Sequence, residues 1–425
     1  MSFNRLQSID QLRGLVMLLM LVDHVRERFY LHLQVSDPMD LSQTENALAL
    51  TRMLAHFCAP IFVFLTGLSA WLYAQKHSSQ QLTHFLIKRG VVLLLLEVTL
   101  VNVAWLGTYQ TLYLQVIWVL GLCMLVLAVL HHLPRALLWV LALTLMVGHN
   151  VLTPIQFSPG EWGYSLWTIL HDRGYLVAPG QDVIAVKISY PLLPWIGVIV
   201  LGYLAGNLFK PSTTSAQPLL NNDLARTRQR LLRRLGIGAL LVLVILRATN
   251  VYGETLSWQR FACNSLTNLG AATGDAGFWL NGVWLSSFWS DGCWQSGLQT
   301  LLSFFNFTKY PPSLDFLLLT LGAMALLLAA LESLARSAWF QSVGTVLANF
   351  GAAPMFFYLL HLYALLLMYS VAVHVFGVNK GNYVGVDAVW QLWLLALLLA
   401  SALYLPTRWF ARFKQRSHAA WVRYL

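Results

Sequence analysis

Ten apolar segments, each about as long as a bilayer is thick, constrain what this chain can fold into. They run at about 12–32, 49–74, 90–107, 112–131, 136–153, 188–208, 235–251, 314–333, 350–376 and 388–408. A helix needs roughly 17–25 mainly apolar residues to cross the hydrocarbon core. The expected fold is therefore all-α: a single polytopic membrane domain over residues 1–425, with about ten transmembrane helices. Composition points the same way, with 58% hydrophobic and only 10% charged residues, where a soluble domain carries about 25% charged.

The net charge of +10 does not imply nucleic acid, because the cations follow the topology. With the N-terminus in the cytoplasm, eighteen of the 27 Lys and Arg fall inside, the positive-inside pattern of an N-in, C-in protein. The first segment has no small-residue cleavage site after its apolar run and is expected to stay as a helix. The longest cytoplasmic connection, about 209–234, is rich in arginine and reads as a solvated linker near lipid headgroups. Outer loops are expected at about 154–187 and 252–313. The second holds Cys263 and Cys293, a candidate disulfide on an oxidising face, whereas Cys58 and Cys123 lie in apolar segments as core residues. Gly202 and Gly206 form a small-xxx-small helix-packing face.

Ionisable groups at membrane depth cost roughly 2.5–3.5 kcal/mol each on insertion scales, so they are functional candidates by default. The first segment carries Asp10, Arg13, Asp23 and His24. Arg13 and His24 are three helical turns apart, on one face and about 16 Å from each other along the axis. Arg52 and His56 share a face of the second segment, His149 closes the fifth on the outside, and Lys309-Tyr310-Pro311-Pro312-Ser313 leads into the eighth. His361 sits mid-depth in the ninth. Glu97, in the third, is expected to be structural or proton-linked. The sequence contains no Walker loop, HExxH, GxSxG or CxxC motif, and no His/Cys/Asp/Glu spacing that suggests a metal.

These residues form patterns that resemble a known family. Arg5-Leu-Gln-Ser-Ile-Asp10-Gln-Leu-Arg13-Gly14, an apolar run and Asp23-His24 open the chain as in the transmembrane acyltransferase superfamily. The segments His56–Gly67, Tyr190–Gly197, Thr308–Ser313 and Phe357–Tyr363 resemble the bacterial branch related to the catalytic domain of heparan-alpha-glucosaminide N-acetyltransferase. The resemblance implies a bacterial inner-membrane enzyme that takes an acyl group, acetyl first, from cytosolic acyl-CoA. The acceptor would be an amine or hydroxyl of an envelope glycan or glycolipid on the outer face, with no bound cofactor and no metal.

Under that reading His24 and Asp23 are the catalytic candidates, with His32 as the rival histidine. Imidazole suits general-base or nucleophilic work near neutral pH. Arg52, His56, His149, Lys309, Tyr310 and His361 are candidate substrate-binding residues, and Arg13 and Arg89 are placed to meet CoA phosphates. A homo-oligomer stays open. The competing reading is a proton-coupled transporter or flippase for a small anion or glycolipid, using the same Asp, His and Glu groups as a relay.

Overall fold

A computed structural model describes residues 7–210, 218–261, 293–417, 419 and 422, with the side chains of 218–222, 293 and 294 also outside this set. Cys263 and the Cys293 side chain, expected to pair, lie outside the described residues. Cys58 and Cys123 are buried free thiols.

Six helical stretches are long and apolar enough to cross a membrane: Asn46–Ala74, Ser79–Leu106, Arg135–Leu152, Leu314–Leu334, Pro354–Phe376 and Val389–Arg416. Two shorter apolar stretches, Val116–Leu130 and Leu193–Phe209, accompany them. The protein is a multi-pass membrane helix bundle. The first helix, α1 (Gln7–Phe29), is missing from the six because it is too charged, and most of it is buried inside the bundle.

The remaining helices, in chain order, refine the expected segments. The second segment is two helices, α2 (Asn46–Ala55) and α3 (Cys58–Ala74), broken at His56-Phe57. The third starts earlier than its apolar run, as α4 (Ser79–Leu96), because Ser78 and Gln81 form a capping box at its N-terminus. It then passes through a π-turn at Glu97–Val101 into α5 (Asn102–Leu106). Glu97 is part of the repair of that turn: its Oε1 accepts the Gln115 N–H at 2.7 Å, and Asn102 Nδ2 donates to the Glu97 carbonyl at 2.7 Å. Tyr363 donates to the Leu100 carbonyl at 3.0 Å, satisfying backbone that lipid would leave bare.

The bundle continues through α6 (Val116–Leu130), α7 (Arg135–Val147), α8 (Tyr164–Leu170), α9 (Leu193–Ala205) and α10 (Pro218–Thr249). It ends with α11 (Cys293–Phe304), α12 (Leu314–Leu334), α13 (Ala338–Ala352), α14 (Pro354–Phe376) and α15 (Val389–Arg416). Three expectations need correction here. The arginine-rich 209–234 stretch is not a linker throughout: from Pro218 it is the first half of α10, and Arg228 pairs with Glu332 of α12 at 2.8 Å. Leu and Arg are good helix formers, and the partner helix supplies the counter-charge. The ninth segment does not begin at 350. Ala353 breaks it, leaving α13 as a separate helix, and Pro354 starts α14 at the position where a missing N–H costs nothing.

The chain is also not purely helical. Strands β1 (Thr111–Leu114), β2 (Gly174–Val177) and β3 (Ala185–Ile188) form a small sheet in the order β1-β3-β2, with β1/β3 parallel and β2/β3 antiparallel. Arg247, buried near the end of α10, ties that helix to α11 and the turn after it. Its guanidinium donates to the carbonyls of Ser303 and Phe304 at 3.1 and 3.0 Å and of Asn306 at 3.2 Å, a cation on the open carbonyls of the α11 C-terminus.

Helix pairs in lipid are held by close packing rather than by hydrophobic exclusion, so small residues decide where backbones meet. Gly14 of α1 and Gly351 of α13 face each other: a Cβ on Gly14 would overlap the Leu347 backbone, and one on Gly351 the Asp10 carbonyl. Gly67 of α3 and Gly202 of α9 repeat the device against the backbones of Ile199 and Phe64. Gly206 packs on Trp71, so the expected Gly202/Gly206 face is a helix contact.

Gly14→Ala should therefore destabilise the protein by about 1–3 kcal/mol or more, since backbone must shift. Gly238→Ala, on α10, is the control, because nothing lies within 4 Å of a Cβ added there. Thermal unfolding in detergent micelles checks the pair; equal effects at both positions would remove the close-packing account.

Candidate functional site

Helix α1 presents two different surfaces at Asp23 and His24, because neighbouring helix positions point about 100° apart. Asp23 is turned toward α2. Its carboxylate pairs with Arg26 at 2.9 Å and with Arg52 at 3.2 Å, and Arg26 also reaches Glu27 at 2.8 Å. All three of Asp23, Arg26 and Arg52 are buried. Among the described contacts no hydrogen bond joins Asp23 to the His24 ring, and the two interact only through charge.

His24 is turned toward α14. Its Nδ1 lies 2.7 Å from Nε2 of His361, and the two rings stack with centroids 5.0 Å apart at 19°. His361 is fully buried, and its Nδ1 lies 2.7 Å from the Phe357 carbonyl one turn earlier. Trp105 and Tyr358 meet the His24 ring edge-on at 4.8 and 5.9 Å. Trp105 stands near the end of α5, the short helix that follows the π-turn. His24 itself keeps part of its surface accessible.

A cavity of about 250 Å³ lies beneath this pair. Arg13, Met17 and Met20 line one side of it, and Pro354, Met355 and Tyr358 another. The first stripe continues at helical spacing to His24 and the second to His361, so the two stripes converge on the imidazole contact. Arg13, Arg89 and Lys414 line the cavity as well, all partly exposed. Arg13 is fixed by Asp10 and the Gly351 carbonyl, each at 3.1 Å. Phe62, Leu65, Phe85, Leu93 and Leu120 make the rest largely apolar.

A second group surrounds Lys309. Its backbone N–H and that of Tyr310 both donate to Asp37 Oδ2 at 3.1 Å. Burial pushes the Asp37 carboxyl above its usual range, opposed by the Arg52 and Lys309 charges. The Lys309 ammonium is buried and sits 5.7 and 5.2 Å from the ring centroids of Tyr190 and Tyr310. The Tyr310 and Tyr190 hydroxyls are 3.3 Å apart, and the Arg173 guanidinium lies 4.9 Å over Tyr310. The sheet assembles this group: Arg173 immediately precedes β2 and Tyr190 follows β3, at adjoining ends of antiparallel strands.

His56 lies within electrostatic reach of Asp23, Arg52 and Lys309, whereas His149 and His32 have other ring partners. His56 is buried with its Nδ1 unpartnered, 5.3 Å from the Phe316 ring. His149 packs against His171 at 5.9 Å, and no described contact joins it to His24 or Lys309. His32 lies beyond the end of α1, with its ring tilted against Tyr30 at 4.7 Å and close to Gly385. Burial and the Lys380 charge hold its imidazole below the usual range. Arg26, Trp105, Arg173 and Lys414 were not singled out by the sequence. Only Arg26, three residues from Asp23, carried a readable signal.

The sequence profile of the heparan-alpha-glucosaminide N-acetyltransferase catalytic family matches residues 5–247. The chain belongs to this family. No curated protein matches it. The match contains Asp23, His24, Arg52 and the arginines of the cavity, and leaves His361 and the Lys309-Tyr310 motif outside, so two of the signatures read in the sequence lie beyond the matched region. Membership in the family accounts for a membrane bundle with an acetyltransferase catalytic domain.

Breaking a buried ion network by removing one partner is expensive, on the order of 3–5 kcal/mol, whereas removing both partners is far cheaper. Asp23→Leu should lower stability by about that amount, because it strands Arg52. Asp23→Leu with Arg52→Met should recover a large part of the loss. Unfolding midpoints of the three variants measure it, and additive losses would show that the two side chains are not coupled.

Proposed function

We propose that this protein is an integral-membrane acyltransferase that moves an acyl group, acetyl first, from acyl-CoA on the cytoplasmic side to an amine or hydroxyl of an envelope glycan on the outer side. Family membership supports the acetyltransferase part. The observation that carries the rest is the cavity whose lining runs from Arg13, Arg89 and Lys414 to Tyr358, beside His24. Three cations suit the phosphates of CoA. The apolar walls suit the pantetheine arm, which would bring the thioester to within a turn of His24. The positive-inside distribution supports N-in and C-in in a bacterial cytoplasmic membrane.

In this reading His24 Nε2 takes the proton from the acceptor as its nitrogen or oxygen attacks the thioester carbon. The tetrahedral intermediate collapses with cleavage of the C–S bond, and the same Nε2–H returns the proton to the leaving thiolate. Lys309 and Arg52 would hold the acceptor or the developing oxyanion. Tyr190, Tyr310 and Arg173 would complete the acceptor side.

Purified protein with labelled acetyl-CoA and envelope glycans should release free CoA and label a glycan. His24→Ala should reduce transfer by at least about 10²-fold while acetyl-CoA binding is retained. Normal turnover in that variant ends the assignment. Arg89→Ala and Lys414→Ala should each weaken acetyl-CoA binding about tenfold, the scale of one charge-assisted hydrogen bond. Calorimetry on the protein in nanodiscs reads this directly, and unchanged affinity in both variants would place the donor elsewhere.

A further inference from the structure

We infer that His361 is a positioning residue that locks His24 in one tautomer, with the proton on Nδ1 and the lone pair on Nε2. The inference deepens the proposed role of His24 and rests on it for its consequence in catalysis, but the tautomer follows from counting protons.

The Phe357 carbonyl can only accept, so the 2.7 Å contact from His361 Nδ1 requires an N–H on that nitrogen. A neutral imidazole has one N–H. The Nε2 of His361 is then a bare acceptor, and the 2.7 Å contact with His24 Nδ1 must contain a proton that belongs to His24. A neutral His24 has spent its one N–H there, so its Nε2 carries the lone pair. The opposite arrangement would put two protons on His361 and none on His24, an ion pair of imidazolium and imidazolate. His361 is fully buried and no acidic side chain is among its described contacts, so nothing supports that charge separation.

The surroundings fix the rings as well as the protons. His361 is wedged against Phe357 at 5.1 Å and Tyr358 at 5.6 Å. His24 is held between Trp105, Tyr358 and the His361 face. The pair thus works as the carboxylate–imidazole pair of a hydrolase triad does, with a neutral imidazole in place of the acid. When His24 Nε2 takes a proton, the Nδ1 proton can shift along the 2.7 Å contact to His361 Nε2, and the positive charge is shared across both rings. Without His361 nothing selects the Nδ1–H form, and a His24 protonated on Nε2 has no base to offer the acceptor.

The experiment is ¹⁵N NMR of the full-length protein, labelled at histidine and held in lipid nanodiscs at neutral pH. Spectra of His24→Gln and His361→Gln assign the two residues. In the wild type both rings should show a protonated Nδ1 and an unprotonated Nε2. In His361→Phe the His24 proton should move to Nε2 in a measurable fraction of molecules. In His361→Gln the side-chain carbonyl can accept from Nδ1, and His24 should stay in the wild-type form. Signals of the remaining histidines report whether each variant is folded.

CoA release should fall about 10²-fold in His361→Phe and recover to within about tenfold of wild type in His361→Gln, a span set by general-base catalysis. A wild-type His24 protonated on Nε2, or a His361→Phe spectrum with His24 unchanged, overturns the inference. The spectroscopic result stands even if the protein proves not to turn over acetyl-CoA, so it fails separately from the functional reading.

Discussion

Everything in this bundle depends on the fact that its first helix cannot face lipid. Asp10, Arg13, Asp23, Arg26, Glu27 and Arg28 all lie on α1, and the cost of exposing them to hydrocarbon exceeds anything its apolar residues return. The helix is therefore enclosed. At its start, α13 comes close enough for backbone to touch backbone at Gly14 and Gly351. Further along, α2 supplies Arg52 to Asp23, while the last turn sends Arg28 to the Ala104 carbonyl at 2.7 Å. Four of the six apolar spans, Ser79–Leu106, Arg135–Leu152, Pro354–Phe376 and Val389–Arg416, keep most of their surface outward, while Asn46–Ala74 and Leu314–Leu334 are largely buried with α1.

Enclosure separates two tasks that the sequence places side by side. Asp23 is committed to a buried ion network, whose contribution is to fix α1 against α2. Such a network contributes little net stability against an apolar alternative, but any loss of one member is costly, which makes the register of the two helices hard to change. His24, one residue on, faces a different helix and touches no carboxylate among its described contacts. Its partner is another imidazole, drawn from 337 residues further along the chain. Asp23 and His24 thus hydrogen-bond on different faces of α1, the carboxylate to arginines and the imidazole to His361, while the Asp23 charge still acts on the His24 ring.

How much of this was legible in the sequence follows from what sequence can encode. The stripe from Arg13 to His24 was readable because it depends on one helix and a period of 3.6 residues. So were the apolar segments and the Gly202/Gly206 face. The pairing of His24 with His361 was not, since it depends on how α1 and α14 cross, and a mid-helix histidine has many possible partners. Helix α13 was hidden because Gln341, Ser342, Gly344, Thr345 and Asn349 interrupt its apolar residues, so that almost all of it fell before the expected segment at 350. The small sheet was hidden inside loops whose strands are four residues long, too short for alternation to stand out. Arg173 could not be connected to Tyr310 until that sheet brought β2 and β3 together. Lys414 is distant in sequence from Arg13 and Arg89, and only the bundle gathers the three around one cavity.

The convergence of the two stripes has a further consequence. Arg13, Met17 and Met20 line one wall of the cavity and Pro354, Met355 and Tyr358 another, and one turn further on the same two helices bring His24 and His361 into contact. The break at Ala353 immediately precedes Pro354, where α14 and its wall of the cavity begin. A pore through this point would leak protons down the membrane potential, at about 2.3 kcal/mol per charge per 100 mV. The rings of His24, His361, Trp105 and Tyr358 pack together at that position. In the proposed reading, an enzyme with substrates on opposite sides of the bilayer needs a barrier that is also reactive, and two stacked imidazoles beside the cavity meet both requirements with the same atoms.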